Sequence, residues 1–401
     1  MVRGEMNTSV AIVGTFDSKG EEHLFIKEVI ESKGYLTTTI DVGTTGLSAF
    51  SPDFSVSKTI KIEHMDRSHM VEAIVEKAKE LVCDLYDQGK IGAIVSAGGG
   101  TGTFMGTSIM KVLPLGVPKV MVSTVASRDM SQTIGTKDIT IMHSVVDMLG
   151  LNSLSRVVLA RAAGAVCGMM VANTNEENEL PRIALSLFGF ITEAAENIKS
   201  ILEKNHFEVI PFHANGTGGM AMDEMMGESF FQGVLDLATH ELADAMFDGY
   251  CGGIGSQRLQ SSAGVNIPRL VIPGGLDAAV LEFNHKNIPK KYKDRKIFYY
   301  DFRSAIRLTA SESRSLAKTV AYKLNQSNNP IKVLIPLKGW SEADKEGDVL
   351  FDMESSMAFS QTLQKLLKPN VEVIKVDYHI NEYAFAEIAA DLMIRMIRES
   401  G

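Results

Sequence analysis

The chain has 401 residues, of which 45% are apolar and 22% charged, and a formal charge of −9. That length exceeds what one hydrophobic core usually organises, so two domains are expected. An acidic balance without any long Lys/Arg run argues against a nucleic-acid or anionic-membrane surface.

Three cysteines, Cys83, Cys167 and Cys251, stand far apart and without metal-ligand spacing, which suits a reducing cytoplasm better than a disulfide scaffold. Arg3 and Glu5 near the start have no apolar signal-peptide core behind them. The most apolar helix, Leu154 to Met170, contains Arg156 and Arg161. It is shorter than the ~20 apolar residues a bilayer needs, and is expected as a buried core helix.

In chain order, Val10 to Gly14 reads as a central parallel strand, because it lacks polar alternation. Thr15 to Gly20 follows, then a helix over Glu21 to Ser32 closed by Gly34. Leu36 to Val42 is the next strand, with Asp41 at its end and the glycine-threonine loop Gly43 to Gly46 behind it. A polar segment holding His64, Asp66, Arg67 and Ser68 precedes a helix from Met70 to Tyr86. Ile91 to Ala97 is a second central strand and leads into AGGGTGT, Ala97 to Thr103, with a short helix ending near Leu113. Lys119 to Ser123 is a strand, and Ser123, Thr124 and Arg128 bring donors to its end. Ile139 to Gly150 and Asn152 to Met170 read as helices, with Asn152 as a cap. The polar stretch Asn173 to Leu180 is the boundary, giving domains 1–178 and 179–401.

The pattern then restarts. Arg182 to Phe188 is a strand, Thr192 to Leu202 a helix, and Phe207 to Phe212 a strand ending in His213. From Ala11 to Asp41 is 30 residues and from Ala184 to His213 is 29, and each unit leads into a glycine loop. Two related domains in tandem are expected. Further on come a helix near Met220 to Met226, a short run Val234 to Leu237, a helix capped by Thr239, and a loop from Gly249 to Gly255. Strands follow at Arg269 to Ile272, Lys296 to Tyr300, Lys332 to Ile335 and Val371 to Val376. Helices lie around Ser313 to Leu324 and at Tyr383 to Arg398, the last expected to pack back across the domain boundary. Alternating strands and helices of these lengths mean two Rossmann-like three-layer α/β domains with mostly parallel sheets. Ligands bind such sheets beyond the carboxyl ends of the strands.

The glycine-rich stretch Gly98, Gly99, Gly100, Thr101, Gly102 lacks the Lys-Ser/Thr pair of a Walker A motif and misses the GxGxxG pattern. It offers unobstructed backbone N–H donors for an anion, with the hydroxyls of Thr101 and Thr103, or else a tight packing turn. Asp17, Ser18 and Lys19 follow the first strand. Lys19 can neutralise a phosphate and Asp17 can hold Mg²⁺ through water, or these residues cap the helix. Asp41 and Thr44 stand where an acid would meet a ribose. In the second domain His213 is a proton-transfer candidate or a satisfied histidine, with Asn215 and Thr217 close by. Asp277, Arg258 and Arg307 suggest a second polar pocket. Asp236, His240 and Glu241 invite a metal reading, but without HExxH spacing no protein metal cluster is expected.

GTFDSKGEE at Gly14, IDVGTTG at Ile40, GGGTGT at Gly98, LPLGVPKVMVSTVAS at Leu113 and PFHANGTGGMAMDEM at Pro211 occur in order. IPRLVIPGGLDA at Ile267 and PLKGWSEADKEG at Pro336 complete the series. The chain resembles, over essentially its whole length, the UPF0261 family, whose fold also forms the N-terminal inhibitory domain of the tomato mosaic virus resistance protein Tm-1. The resemblance implies ATP and Mg²⁺ at the N-terminal domain and self-association as a homodimer or higher oligomer. It assigns nucleotide contacts to Asp17, Ser18, Lys19, Thr44, Arg67 and Gly98 to Gly102. The family commonly reads His-Asn where this chain has Tyr300-Asp301, so second-domain chemistry does not transfer. Three functions are compatible with this. One is an ATP-dependent cytoplasmic enzyme on a small anionic metabolite held between the domains. The second is a nucleotide-dependent regulatory module, and the third an ATP-independent enzyme on a carboxylate or phosphate with His213 as first candidate for proton transfer.

Overall fold

The computed structural model describes residues 8–45, 47–60, 65–172, 180–227, 230–254, 258–260 and 266–400. Asn173 to Glu179 of the expected boundary, Gly46, His64 and Gly255 to Gln257 lie outside the described residues. The chain divides into two compact units, Met1–Glu176 and Glu177–Gly401.

The first unit runs β1 (Ser9–Gly14), α1 (Phe16–Ser32), β2 (Thr37–Asp41), β3 (Phe54–Ser55), α2 (Arg67–Asp87), β4 (Ile91–Gly98), α3 (Gly100–Met110), β5 (Lys119–Ser123), α4 (Ser131–Ile134), β6 (Thr140–His143) and α5 (Ser153–Val171). Its six strands lie in the order β3-β2-β1-β4-β5-β6, all parallel. β1 is buried along its whole length, as its unbroken apolar sequence requires. One core packs Ala11, Val13 and Ile94 under α2 and α3, and a second packs Val10, Ile12 and Val95 under α1 and α5. α5 begins with a capping box of Asn152 and Ser155. Among the described residues it is the one helix long and apolar enough to cross a membrane. Only one face of it, with Leu159, Ala162, Ala163 and Val166, is buried, against α1, β4 and β5.

The second unit runs β7 (Arg182–Leu187), α6 (Thr192–Lys204), β8 (Glu208–His213), α7 (Thr217–Gly227), β9 (Gly233–Ala238), α8 (Glu241–Met246), β10 (Arg269–Gly274), β11 (Ala278–Leu281), β12 (Ile297–Tyr299), β13 (Ser304–Arg307), α9 (Ala310–Asn325), β14 (Ile331–Pro336), α10 (Met353–Leu366), β15 (Glu372–Val376) and α11 (Tyr383–Ser400). A parallel sheet has the order β15-β14-β10-β9-β7-β8, and an antiparallel one the order β11-β13-β12. With the two-residue β3 set aside, the first strand of each unit has the second on one side and all later strands of the same parallel sheet on the other. The two units thus share a winding.

Several expectations change. The stretch Ile139 to Gly150 is not a helix: Thr140–His143 is the edge strand β6, and Val145 and Gly150 turn the chain with φ of 65° and 75°. A short apolar run reads equally as helix or strand, and here pairing with β5 decides. Thr239 does not cap α8, because its hydroxyl donates to Ile272 O at 3.0 Å. The strand at Lys296 to Tyr300 belongs to the antiparallel sheet. The terminal helix α11 forms where expected and buries Phe385, Ala386, Ala389 and Met393 against α6 and the parallel sheet.

Candidate functional site

In the first sheet the strand order reverses between β1 and β4, so the chain leaves their carboxyl ends in opposite directions and opens a crevice. The β1 edge of it is built around a histidine. A Cβ on Gly14 would stand 2.0 Å from His23 Nε2, so only glycine fits there. His23 is fully buried: its Nδ1–H donates to Lys19 O at 2.7 Å and its Nε2 accepts from Ala97 N at 3.3 Å. Burial lowers its pKa and keeps the ring neutral. Lys19, with φ −131°, breaks the helical path of α1 at that point. One imidazole therefore ties the loop after β1 to the end of β4.

The β4 side is a helix start. α3 begins at Gly100, so the expected loop Ala97 to Thr103 is strand end and first helical turn in direct succession. Thr103 N donates to Gly99 O at 2.7 Å, which leaves the N–H groups of Gly100, Thr101 and Gly102 without acceptors among the described residues. Gly98 is required by packing, since a Cβ there would lie 2.8 Å from Gly102 Cα. Thr103 turns inward and shares a hydrogen bond with Ser123 Oγ at 2.7 Å, so its hydroxyl is taken from the loop's donor set.

These edges enclose a cavity of about 590 Å³. Asp17, Ser18, Lys19, Thr44, Arg67, Gly99, Gly100, Thr101 and Gly102 all line it, over an apolar floor of Val71 and Met105. Gly98 sits one residue behind. Lys19 lines the cavity while its ammonium donates to Met148 O, and two of its three hydrogens stay available. Arg67 is exposed and is the first residue of α2, rather than part of a segment before the helix. Asp66 caps that helix through the N–H groups of Ser68 and His69 at 2.9 and 3.0 Å, which leaves the Arg67 guanidinium free of the capping role.

Sequence reasoning missed Thr15 and Thr45 in the lining. Asp17 Oδ2 accepts from Thr45 N at 3.1 Å and Thr45 Oγ1 at 3.0 Å, so it fixes the loop after β2 while the residue lines the cavity. The repeated threonine of Gly43 to Thr45 was the available signal for Thr45. Asp41 has no such freedom. It is buried and accepts from Phe16 N at 3.1 Å, Gly43 N at 2.9 Å and Ser48 Oγ at 2.5 Å, which rules out the ribose role expected for it.

The expected pocket of Asp277, Arg258 and Arg307 is instead two separate buried networks. Arg258, fully buried, donates to Glu241 at 2.7 Å, to Asp236 at 2.7 Å and to Asp223 at 3.4 Å, while Arg269 holds Asp223 and Asp236 from the other side. Two guanidiniums thus answer three carboxylates. Burial pushes the Glu241 carboxyl up, against the pull of Arg258. Arg307 donates to Asp277 O and Asp352 O at 2.7 Å each and to Ser356 Oγ at 2.6 Å, with Asp344 at 3.7 Å. Burial raises the Asp277 carboxyl, and with the nearby Asp277 charge it lifts Asp344 to about 8. His213 is exposed at the end of β8, and Asn215 is engaged in capping α7 through Gly218 N at 3.2 Å. No two of His213, Asp277 and Arg307 form a nucleophile-base pair. At the Tyr300-Asp301 dipeptide, Tyr300 packs edge-on to Phe190 and Asp301 pairs with Arg303 at 2.7 Å.

Comparison with known proteins matches residues 8–175 to the N-terminal domain, and residues 180–397 to the C-terminal domain, of the uncharacterised protein family UPF0261. A UPF0261 protein of Clostridium tetani is 35% identical, over 98% of this chain and 100% of that protein. A UPF0261 protein of Mesorhizobium japonicum is 32% identical, over 95% of this chain and 97% of its own. The tomato ToMV resistance protein Tm-1 is 31% identical over 98% of this chain, which spans 56% of that longer protein.

Proposed function

The chain belongs to the UPF0261 family, both of whose domains it carries, and from the geometry of its first unit we propose that it binds ATP as a magnesium complex there. One observation carries the reading: three unpaired N–H groups at the start of an 11-residue helix meet a lysine, an arginine and a carboxylate in a single cavity. The N–H groups of Gly100, Thr101 and Gly102 would take phosphate oxygens, helped by the positive end of the α3 dipole. Lys19 and Arg67 would offset the remaining phosphate charge. Magnesium would offset phosphate charge there, and Asp17, whose Oδ2 is held by Thr45, would be the carboxylate to hold it through water.

Other features support the finer parts of the proposal. Free cysteines at all three positions fit the cytoplasm. Exposed Val145, Leu149, Leu154 and Val157 supply apolar surface for self-association. Turnover of a small anionic metabolite as second ligand would make the protein an enzyme, and product analysis with MgATP and candidate acids separates that from a regulatory role.

Calorimetric titration with ATP, with and without magnesium, tests the site. Saturable binding that weakens in both Lys19→Met and Arg67→Ala is expected. Binding unchanged in both variants, or absent from the intact protein, overturns the reading.

A further inference from the structure

The second sheet has its own reversal point, between β7 and β9, the place where open α/β sheets take ligands. Phe188 follows β7 there, His240 stands two residues past β9, and their rings stack at 4.0 Å. His240 is 2% exposed, and its Nδ1 has no hydrogen-bond partner among the described residues. A buried, unsatisfied imidazole nitrogen asks for a partner that protein atoms do not supply.

Two further donors stand beside it. Asp244 lies one helical turn on, its N–H bonded to His240 O at 3.0 Å, so the two side chains leave the same side of the turn. The loop after α8 then folds Cys251 back onto them. A Cβ on Gly249 would lie 2.7 Å from Val280 O, and one on Gly252 would lie 2.9 Å from Ala245 Cα. Only the glycines flanking Tyr250-Cys251 let the loop press that close. One ligand atom from each of His240, Asp244 and Cys251 lies within 4.8 Å of the other two, and all three residues are buried. The Asp244 oxygens are oriented by Val280 N at 2.7 Å and Cys251 N at 2.9 Å, and the Cys251 thiol also hydrogen-bonds to that carboxylate, so sulfur and carboxylate already face each other and a cation would take the place of the thiol proton.

We propose that His240, Asp244 and Cys251 form a transition-metal site in the second unit, suited to Zn²⁺, with one coordination position open. Imidazole, carboxylate and thiolate together select zinc over magnesium or calcium, which take oxygen donors. Three protein ligands leave a fourth tetrahedral place for water or a substrate atom. Binding converts the Cys251 thiol to thiolate, and its proton leaves to solvent. Asp236 and Glu241, the other acids close to His240 in the sequence, are already held by Arg258 and Arg269 and take no part. The inference is independent of nucleotide binding in the first unit.

The test uses the full chain carrying Cys83→Ser and Cys167→Ser, in which Cys251 is the one thiol left. Competition with a chromophoric chelator should give one Zn²⁺ per chain, and Co²⁺ in its place should show a thiolate-to-cobalt absorption band. Adding Cys251→Ser should abolish that band and weaken Zn²⁺ by more than the roughly 10–100-fold typical of losing an outer-shell contact, with His240→Gln acting likewise. If either variant fails to fold, Zn²⁺ should still slow maleimide labelling of Cys251 in the Cys251-only protein in sub-denaturing urea, where transient opening exposes the buried thiol. Absence of stoichiometric Zn²⁺, a cobalt spectrum indifferent to Cys251→Ser, or maleimide labelling unaffected by Zn²⁺ overturns the site.

Discussion

A single methyl group at Gly100 separates the fold from the site. A Cβ built on Gly100 meets no heavy atom within 4 Å, and the residue is the first of α3, so Gly100→Ala adds nothing the protein must move to accommodate. Alanine is favoured over glycine in a helix by up to ~1 kcal/mol, so stability should hold or rise slightly. The Cα–Cβ bond of a helical residue tilts toward the helix start. The methyl therefore leans over the N–H groups of Gly100, Thr101 and Gly102, where phosphate oxygens are proposed to sit. A hydrogen bond to a charged group contributes about 1.5–3 kcal/mol, so displacing one should weaken MgATP about tenfold to about a hundredfold. Gly98→Ala is the opposite control: its Cβ would lie 2.8 Å from Gly102 Cα, which should lower stability directly. Calorimetric titration gives affinity and thermal unfolding gives stability for both variants. Wild-type affinity in Gly100→Ala, or a loss of stability like that of Gly98→Ala, would refute the reasoning.

Asp17→Ala releases Thr45 N and Oγ1, and should flatten the magnesium dependence of ATP affinity while costing less than about 1 kcal/mol of stability; unchanged magnesium dependence removes Asp17 from the site. Arg258→Met leaves Asp223, Asp236 and Glu241 with Arg269 as their one guanidinium, and should cost about 3–5 kcal/mol by urea unfolding; a loss under about 1 kcal/mol would show that the network is not charged as drawn. Burial and the Asp277 charge raise the Asp344 carboxyl from 3.8 to about 8, so the folded protein holds a proton that the unfolded chain releases. That stabilisation is complete below the ordinary carboxylate value and is lost as pH climbs through about 8, at up to ~1.4 kcal/mol per pH unit. Urea midpoints should fall between about pH 5 and about pH 8, and Asp344→Asn should remove that fall; a pH trend identical in both proteins contradicts the assignment.

What could be read beforehand follows from how each feature is encoded. VAIVG, and IGAIVSAG with Ser96 as its one polar residue, are apolar runs ending in glycine, so both central strands and the loops beyond them are readable from residue order alone. The four-residue strands AAVL and SAIR carry no period of their own and exist through pairing with each other, and β6 exists through pairing with β5. α10 escaped because its first turn, Met353 to Ser356, is exposed in part and its cap, Asp352, looks like any loop acid. At the site, Lys19, Thr44 and the glycines were readable because they lie at strand ends or helix starts, whereas Arg67 was reached through the family resemblance. His23 was not, since its task is to fill the space above Gly14, a contact across nine positions of chain that no spacing rule marks. Arg258 and Asp277 looked like pocket residues because polarity is visible in a sequence and burial is not.

The central claim is that the amides at the start of α3 grip a polyphosphate. Amide hydrogen exchange of the full chain, with and without saturating MgATP, tests it most directly. The account predicts slowed exchange at Gly99 to Gly102 and at Asp17 to Lys19, with no comparable change in the second unit's loops. Saturation without protection at Gly99 to Gly102, or protection confined to other loops, would contradict it.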